Sequence, residues 1–318
     1  MMRLILAGAA LALALAAPAQ ALNARAGTSG AQFLKLGAGA RAGGMGDNFA
    51  ALADDANAAY YDPAGLTQLM GTQLGGAHTV YFGGMSYSVL NLAVPFASDE
   101  DFSKHVLAAG IYHMSVGDIE RRTSDSTDPT GKFSASDGAY ALSYAHALDH
   151  HLSLGVTGKY ISQNIDSYNA RTFAADAAVF YRVNPDGDRP VSVAAVAKNL
   201  GNKSNEYVSG QGDPLPLGLT VAAACRVFPK RFVLDLEASK YRDTDLFVGL
   251  GGEYTQPFNE GVAGQLRFGY SAQRKDNDGL NGIALGMGIT FYKAAFDFAW
   301  QPFGTLGDTF RYSLLVRF

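Results

Sequence analysis

The chain has 318 residues, of which 17% are charged, 48% hydrophobic and 11% aromatic, with 37 glycines. Soluble domains average about 25% charge; this chain is poorer in charge, its apolar content excludes intrinsic disorder, and its aperiodic glycines exclude a collagen-like helix. A formal net charge of −4 with no basic block argues against a nucleic-acid partner, and the single cysteine, Cys225, excludes an intrachain disulfide and a cysteine-based zinc site.

At the N-terminus, Met1-Met2-Arg3 supplies a short positive start and Leu4 to Ala17 is unbroken apolar. Pro18 breaks that run, and Ala19-Gln20-Ala21 fits the small-x-small cleavage rule. Residues 1–21 therefore read as a signal peptide, with the mature chain starting at Leu22. The apolar run is too short to span a bilayer as a helix, and no later run approaches the ~18 residues needed. No cysteine follows the cleavage site, so this is not a lipoprotein leader.

Residues 28–70 are rich in Gly and Ala and do not alternate. Their small side chains let backbone pack tightly against backbone. Asp54 or Asp55 is expected to cap a short helix over Ala56 to Tyr61, which Pro63 and Gly65 then end. A compact non-strand segment over residues 22–71, ahead of a barrel at 72–318, reads as a plug in the barrel lumen.

From Thr72 onward the chain alternates with period two. Phe310, Tyr312, Leu314, Val316 and Phe318 fall on one face, and Arg311, Ser313, Leu315 and Arg317 on the other. The same pattern recurs in Leu285, Met287 and Ile289 against Gly286 and Gly288, and in Leu234 and Leu236 against Asp235 and Glu237. About fourteen strands are predicted, at 72–81, 84–96, 104–116, 133–147, 151–164, 171–183, 190–199, 215–228, 231–241, 244–256, 261–273, 280–292, 294–303 and 309–318. The pattern blurs over Val106 to Met114 and changes phase over Met85 to Val94, where a bulge is expected. Most runs meet the about 9–11 residues a tilted strand needs to cross a bilayer. Short turns alternate with longer loops, and 117–132, 165–170, 200–214 and 274–279 fall in the longer set. That asymmetry marks outer-membrane barrels, and an even strand number puts both barrel ends on the short-turn, periplasmic side. A soluble sandwich would carry dense Lys and Glu on its polar face, which here is mostly Gly, Ser, Thr and Ala. No ~40-residue repeat suggests a propeller. The fold class is therefore all-β, a transmembrane antiparallel barrel in outer-membrane lipid.

Two resemblances follow. The final strand, with Phe310, Tyr312, Leu314, Val316 and Phe318 at alternate positions, resembles the C-terminal β-signal of bacterial outer-membrane proteins, which implies recognition by the barrel-assembly machinery. Gly39-Ala40-Arg41-Ala42-Gly43-Gly44-Met45-Gly46-Asp47, then Ala53-Asp54-Asp55-Ala56, then Asp62-Pro63-Ala64-Gly65-Leu66, resembles the N-terminal signature of the PorV/PorQ family. That family is similar to FadL-type transporters, whose hatch carries an Asn-Pro-Ala-Gly-Leu motif; Asp62 stands here where Asn is usual. The resemblance implies a fourteen-stranded barrel with an N-terminal hatch and a role in type IX secretion. In that role the barrel binds protein partners, namely cargo C-terminal signal domains or translocon subunits.

No catalytic, cofactor-binding or metal-binding motif emerges. There is no Gly-x-Ser-x-Gly elbow, and the glycine spacing from Gly37 misses the dinucleotide fingerprint. His150-His151 and Asp276-Asn277-Asp278-Gly279 read as turns, and Cys225 reads as a small lipid-facing residue. Lys159, Asp176, Asp235, Glu237, Arg267, Asp297 and Arg311 are expected to point inward and to pair around the plug. The expected function is non-enzymatic: a secretion-linked factor that binds partners through extracellular loops carrying Glu120, Arg121, Arg122, Lys203, Tyr207 and Arg274. The alternative is a FadL-like transporter of hydrophobic small molecules, although about 18 residues per strand and connection leave little chain for a ligand vestibule.

Overall fold

In the computed structural model, residues 25–98, 102–122, 125, 128–201, 207, 212–228, 231–274 and 282–318 are described. The leader, Lys203 and the 276–279 turn lie outside them. Fourteen strands occupy the predicted places: β1 Gln73–Val80, β2 Ser86–Pro95, β3 His105–Arg121, β4 Gly131–Ala147, β5 Leu152–Ile165, β6 Tyr168–Arg182 and β7 Val191–Leu200. They continue as β8 Gly218–Phe228, β9 Phe232–Tyr241, β10 Phe247–Asn259, β11 Val262–Ser271, β12 Ile283–Phe291, β13 Ala294–Pro302 and β14 Asp308–Arg317. Each pairs antiparallel with its sequence neighbour. β14 returns to β1, with Gln73 opposite Arg317 and Val80 opposite Phe310, so the sheet closes into a barrel. Closure removes the unpaired strand edges, a requirement in lipid, where no water satisfies them. No helix of the described residues is long and apolar enough to cross a membrane.

Alternation decides the faces. Along β14, Phe310, Tyr312 and Leu314 are exposed, whereas Thr309, Arg311 and Ser313 are buried. Leu285, Met287 and Ile289 on β12 and Leu219 and Val221 on β8 face outward in the same way, and Cys225 keeps the phase of that outward face. A continuous apolar belt on strand after strand fits contact with lipid and not with water.

Three expectations are corrected. β2 has no bulge: its register is unbroken to β1 over Ser86 to Ala93 and to β3 over Ser86–Pro95. The phase change arises because Tyr87 and Val89 point inward and are buried against the plug. Apolar residues therefore occupy both faces there, as Val106 and Tyr112 do in the blurred stretch of β3. The 117–132 loop is mostly strand. β3 runs to Arg121 and β4 starts at Gly131, with a register shift between Val116 and Ile119. Backbone pairing continues above the apolar belt, where polar residues no longer report it. Likewise β5 and β6 run to Ile165 and from Tyr168, leaving a tight hairpin in place of the 165–170 loop.

The segment from Ser29 to Leu69 packs inside the barrel, most of it buried. Helix α1, Ala40–Gly44, packs against β11 to β14, and a 3-10 turn over Pro63–Gln68 packs against β3 to β6. The segment begins beside the long loops, where the Gly30 amide donates to the Pro214 carbonyl. It ends at the opposite rim, where the Ser103 amide donates to the Thr67 carbonyl. The plug therefore runs the length of the lumen, from the long-loop end to the end that carries the start of β1 and the finish of β14.

Candidate functional site

Helix α2 is shorter than expected, Ala58–Tyr61, and it begins at Asn57 without a side-chain cap. Neither Asp54 nor Asp55 caps it. Asp55 instead accepts from the Asn57 amide at 2.8 Å, and both carboxylates turn to Arg41. Pro63 and Gly65 do not simply stop a helix. Pro63 opens the 3-10 turn, and Asp62 is its N-cap, accepting from the Ala64 amide at 2.8 Å. Its other oxygen, Oδ2, is buried without a hydrogen-bond partner. Burial pushes the Asp62 carboxyl up to about 8, against the pull of the Ala64 and Gly65 amides, so near neutrality it holds a proton. A protonated aspartate matches asparagine in shape and charge.

The Arg41-to-Asp47 motif fastens the plug to the wall. Arg41 reaches Asp54 at 2.6 Å, Asp55 at 3.1 Å and Glu253 at 2.8 Å. Glu253 also meets Arg267 at 2.6 Å, Arg267 meets Asp297 at 2.8 Å, and Asp54 meets Arg226 at 2.9 Å. One chain of alternating charges thus links plug residues to β8, β10, β11 and β13. A second anchor joins Asp47 to Arg311 at 2.6 Å. Tyr61 and Gln301 donate to the same carboxylate, and Gln301 also donates to the Gly43 carbonyl. Burial disfavours ionised Asp47, but the Arg311 guanidinium, helped by Arg274 and the Gln301 amide, outweighs it and holds the carboxyl at about 2. Lys159 pairs with Asp176 at 2.8 Å within the wall. Asp235 and Glu237 accept from the plug amides of Leu52 and Ala50. All seven charges expected inward are buried.

The motif glycines are set by close approach. A Cβ on Gly44 would stand 2.8 Å from the Gly286 Cα, so helix α1 lies backbone to backbone on β12. Gly46 has φ +73°, a left-handed turn that re-aims the chain after Met45. Met45, Ala64 and Leu66 are fully buried.

The predicted loop residues separate. Glu120 and Arg121 end β3, and Arg122 follows; Arg122 meets Glu120 at 2.7 Å, and Arg121 pairs with Asp166, all of them exposed. Tyr207 is half-buried. Arg274 is not on the rim. It turns inward from the Ala272–Arg274 3-10 turn, over the Phe303 ring at 5.5 Å, and donates to the Gly282 carbonyl. It lines a cavity of about 450 Å³ between plug and loops, together with Tyr60, Tyr61, Tyr241, Phe247 and Lys198. The sequence reading left little room for such a vestibule. Lys198, 4.9 Å from the Tyr60 ring and 5.2 Å from the Tyr61 ring, was missed because no motif surrounds it. Of the final strand, Phe310, Tyr312, Leu314 and Phe318 are exposed on the outer face and Val316 is half-buried. Among the described residues, no group of three His, Cys, Asp or Glu side chains is placed to hold a metal ion.

Several solved barrels share this architecture. The toluene transporter TbuX of Ralstonia pickettii aligns with TM-score 0.58 and 12% identity, over 89% of this chain and 98% of its own. The Pseudomonas putida toluene transporter TodX aligns with TM-score 0.60 and 9% identity, over 89% and 99%. A FadL homologue from Pseudomonas aeruginosa aligns with TM-score 0.51 and 12% identity, over 88% and 98%. At these identities the likeness is one of fold, a FadL-like outer-membrane barrel. No curated protein sequence matches the chain. The family model described as type IX secretion system protein PorV matches residues 19–237, which take in the whole plug and the strands through most of β9. With well over half of its length so matched, and with a bolted hatch inside a closed fourteen-stranded barrel, the chain belongs to the PorV family of outer-membrane proteins.

Proposed function

We propose that this barrel is a non-enzymatic, secretion-linked outer-membrane factor that binds protein partners, cargo signal domains or translocon subunits, through its long-loop end. In this reading residues 1–21 are removed on export, and residues 22–71 form the hatch of the 72–318 barrel. Both barrel ends face the periplasm, and the final strand through Phe318 addresses the chain to the assembly machinery. The PorV family match carries the reading. The plug supports it: a lumen crossed by buried ion pairs suits a rigid scaffold better than an open pore. The exposed charges of Glu120, Arg121 and Arg122, with Tyr207, give the polar surface typical of a protein-binding rim.

A second reading, transport of hydrophobic small molecules, draws on the aromatic cavity beneath the loops. One experiment separates the two. Shortening the 200–214 connection is expected to abolish co-purification of partners while heat-shifted gel migration shows a folded barrel. Partner binding that survives removal of the long loops, with a hydrocarbon or lipid found in the lumen by mass spectrometry, would favour transport.

A further inference from the structure

At the end opposite the long loops, a second cavity of about 280 Å³ opens between the plug and β6 to β9. Its mouth is framed by His150, Pro185 and Asp186, and its walls include Leu52, Phe102 and Val191. One cation stands in this wall without a counter-charge among the described residues. Arg182, the last residue of β6, is held between two aromatic faces, 5.7 Å from the Phe102 ring and 5.5 Å from the Phe180 ring. Its Nη2 donates to the Thr67 hydroxyl at 3.2 Å. Its Nη1 is buried with no hydrogen-bond partner. Among the described residues no carboxylate lies within ion-pair distance of it: Asp186 turns to His150 at 3.5 Å, and Asp54 is shared by Arg41 and Arg226.

Arg41, Arg226, Arg267 and Arg311 all meet carboxylates of the chain itself, whereas Arg182 at this end, like Lys198 and Arg274 around the long-loop cavity, has no ion pair among the described residues. A guanidinium fixed by stacking is preorganised to take a carboxylate through parallel N–H donors. Arg182 is half-buried and its Nη1 is closed off from solvent, and a partly desolvated charge gains from being paired, so an arriving anion would supply that partner. The volume lies just below the ~300–1,000 Å³ typical of whole-ligand sites. It suits one ring or branched side chain beside a carboxylate.

We propose that this cavity binds a carboxylate borne next to a single apolar or aromatic group, either as a free organic acid or as the C-terminal residue of a chain. The carboxylate sits on Arg182 and the apolar group lies among Leu52, Phe102 and Val191. The site is at the far end from the loops assigned to secretion partners, so it is spatially separate from them.

The test uses the full-length barrel in lipid nanodiscs and three probes: 3-phenylpropanoate, the peptide Gly-Gly-Gly-Phe with a free carboxylate, and the same peptide with a C-terminal amide. Calorimetry is expected to show saturable binding of at least one carboxylate probe, and at least ten-fold weaker binding of the amide than of the acid peptide if the peptide binds. Tighter binding of the peptide than of 3-phenylpropanoate identifies a chain end as the guest, and the reverse identifies a free acid. Arg182→Gln is expected to weaken the carboxylate probes at least ten-fold and to leave the amide unchanged, with heat-shifted migration reporting that the variant is folded. Equal binding of acid and amide peptides by the unaltered protein, or no saturable binding of either carboxylate probe, overturns the proposal, and neither result depends on a variant.

Discussion

Replacing Asp62 by asparagine tests how the hatch motif works. Asp62 is fully buried, one oxygen caps the Pro63–Gln68 turn, and the other has no partner. Its carboxyl holds a proton up to about pH 8, whereas an ordinary aspartate loses it near 3.8. The folded state thus binds a proton that the unfolded state has released. Stability from this site is complete below about pH 4, falls as pH rises toward 8, and levels off above it. At pH 7 the penalty relative to acid conditions is about 4 kcal/mol, taking about 1.4 kcal/mol per pH unit. Asp62→Asn keeps the capping oxygen and an N–H in place of the acid proton, with nothing to titrate. It should match the parent near pH 4 and exceed it by as much as about 4 kcal/mol at pH 7. Urea unfolding of the barrel, followed through the single tryptophan, Trp300, reads this directly. A difference between parent and variant that stays constant from about pH 4 to about pH 8 would mean that Asp62 is ionised in the folded hatch, and the reasoning would fail.

Other substitutions probe the plug, the lipid face and the final strand. Glu253→Gln removes the carboxylate shared by Arg41 and Arg267, which keep Asp54, Asp55 and Asp297, and should cost about 1.5–3 kcal/mol, seen as a lower urea midpoint; an unchanged midpoint would show that the charge chain is not holding the plug. Met287→Arg places a charge on the outward face of β12 and should cost about 2–4 kcal/mol near the midplane. A cysteine at 287 should resist water-soluble thiol reagents in intact membranes, and ready labelling would contradict the lipid-facing assignment. Deleting Phe318 should sharply reduce the heat-shifted, assembled form; normal assembly without it would remove the addressing role proposed for the last strand.

Much of the fold was legible because a barrel strand reports itself locally. Each residue faces lipid or lumen according to its parity, so strand positions, the outward set of β8, β12 and β14, and the inward charges all followed from alternation. The reading failed where that signal is absent or doubled. Above the lipid belt, β3 and β4 continue as a polar hairpin through Glu120 and Arg121, and no apolar alternation marks it. Over β2 the plug lends its own apolar surface to the lumen, so Tyr87 and Val89 imitate outward residues and the alternation falsely suggests a bulge.

The plug motif shows the same division. Its residues stood out in sequence, but their partners did not: Arg41 finds Glu253 and Asp47 finds Arg311 from more than two hundred residues away. Parity says that such groups point inward. It does not say at what height or at which azimuth, because those depend on the register of every strand pair around the closed sheet. Sequence alone therefore determined the class of fold, the faces of the strands whose alternation is clean, and a non-strand segment ahead of the barrel. Only the tertiary structure decided that Asp54 and Asp55 serve Arg41 and not a helix end, that Arg274 turns inward, and that Arg182 meets no carboxylate among the described residues. Pairing in a lumen is a property of the closed barrel as a whole, set by the sum of its registers and by the path of the chain threaded through it.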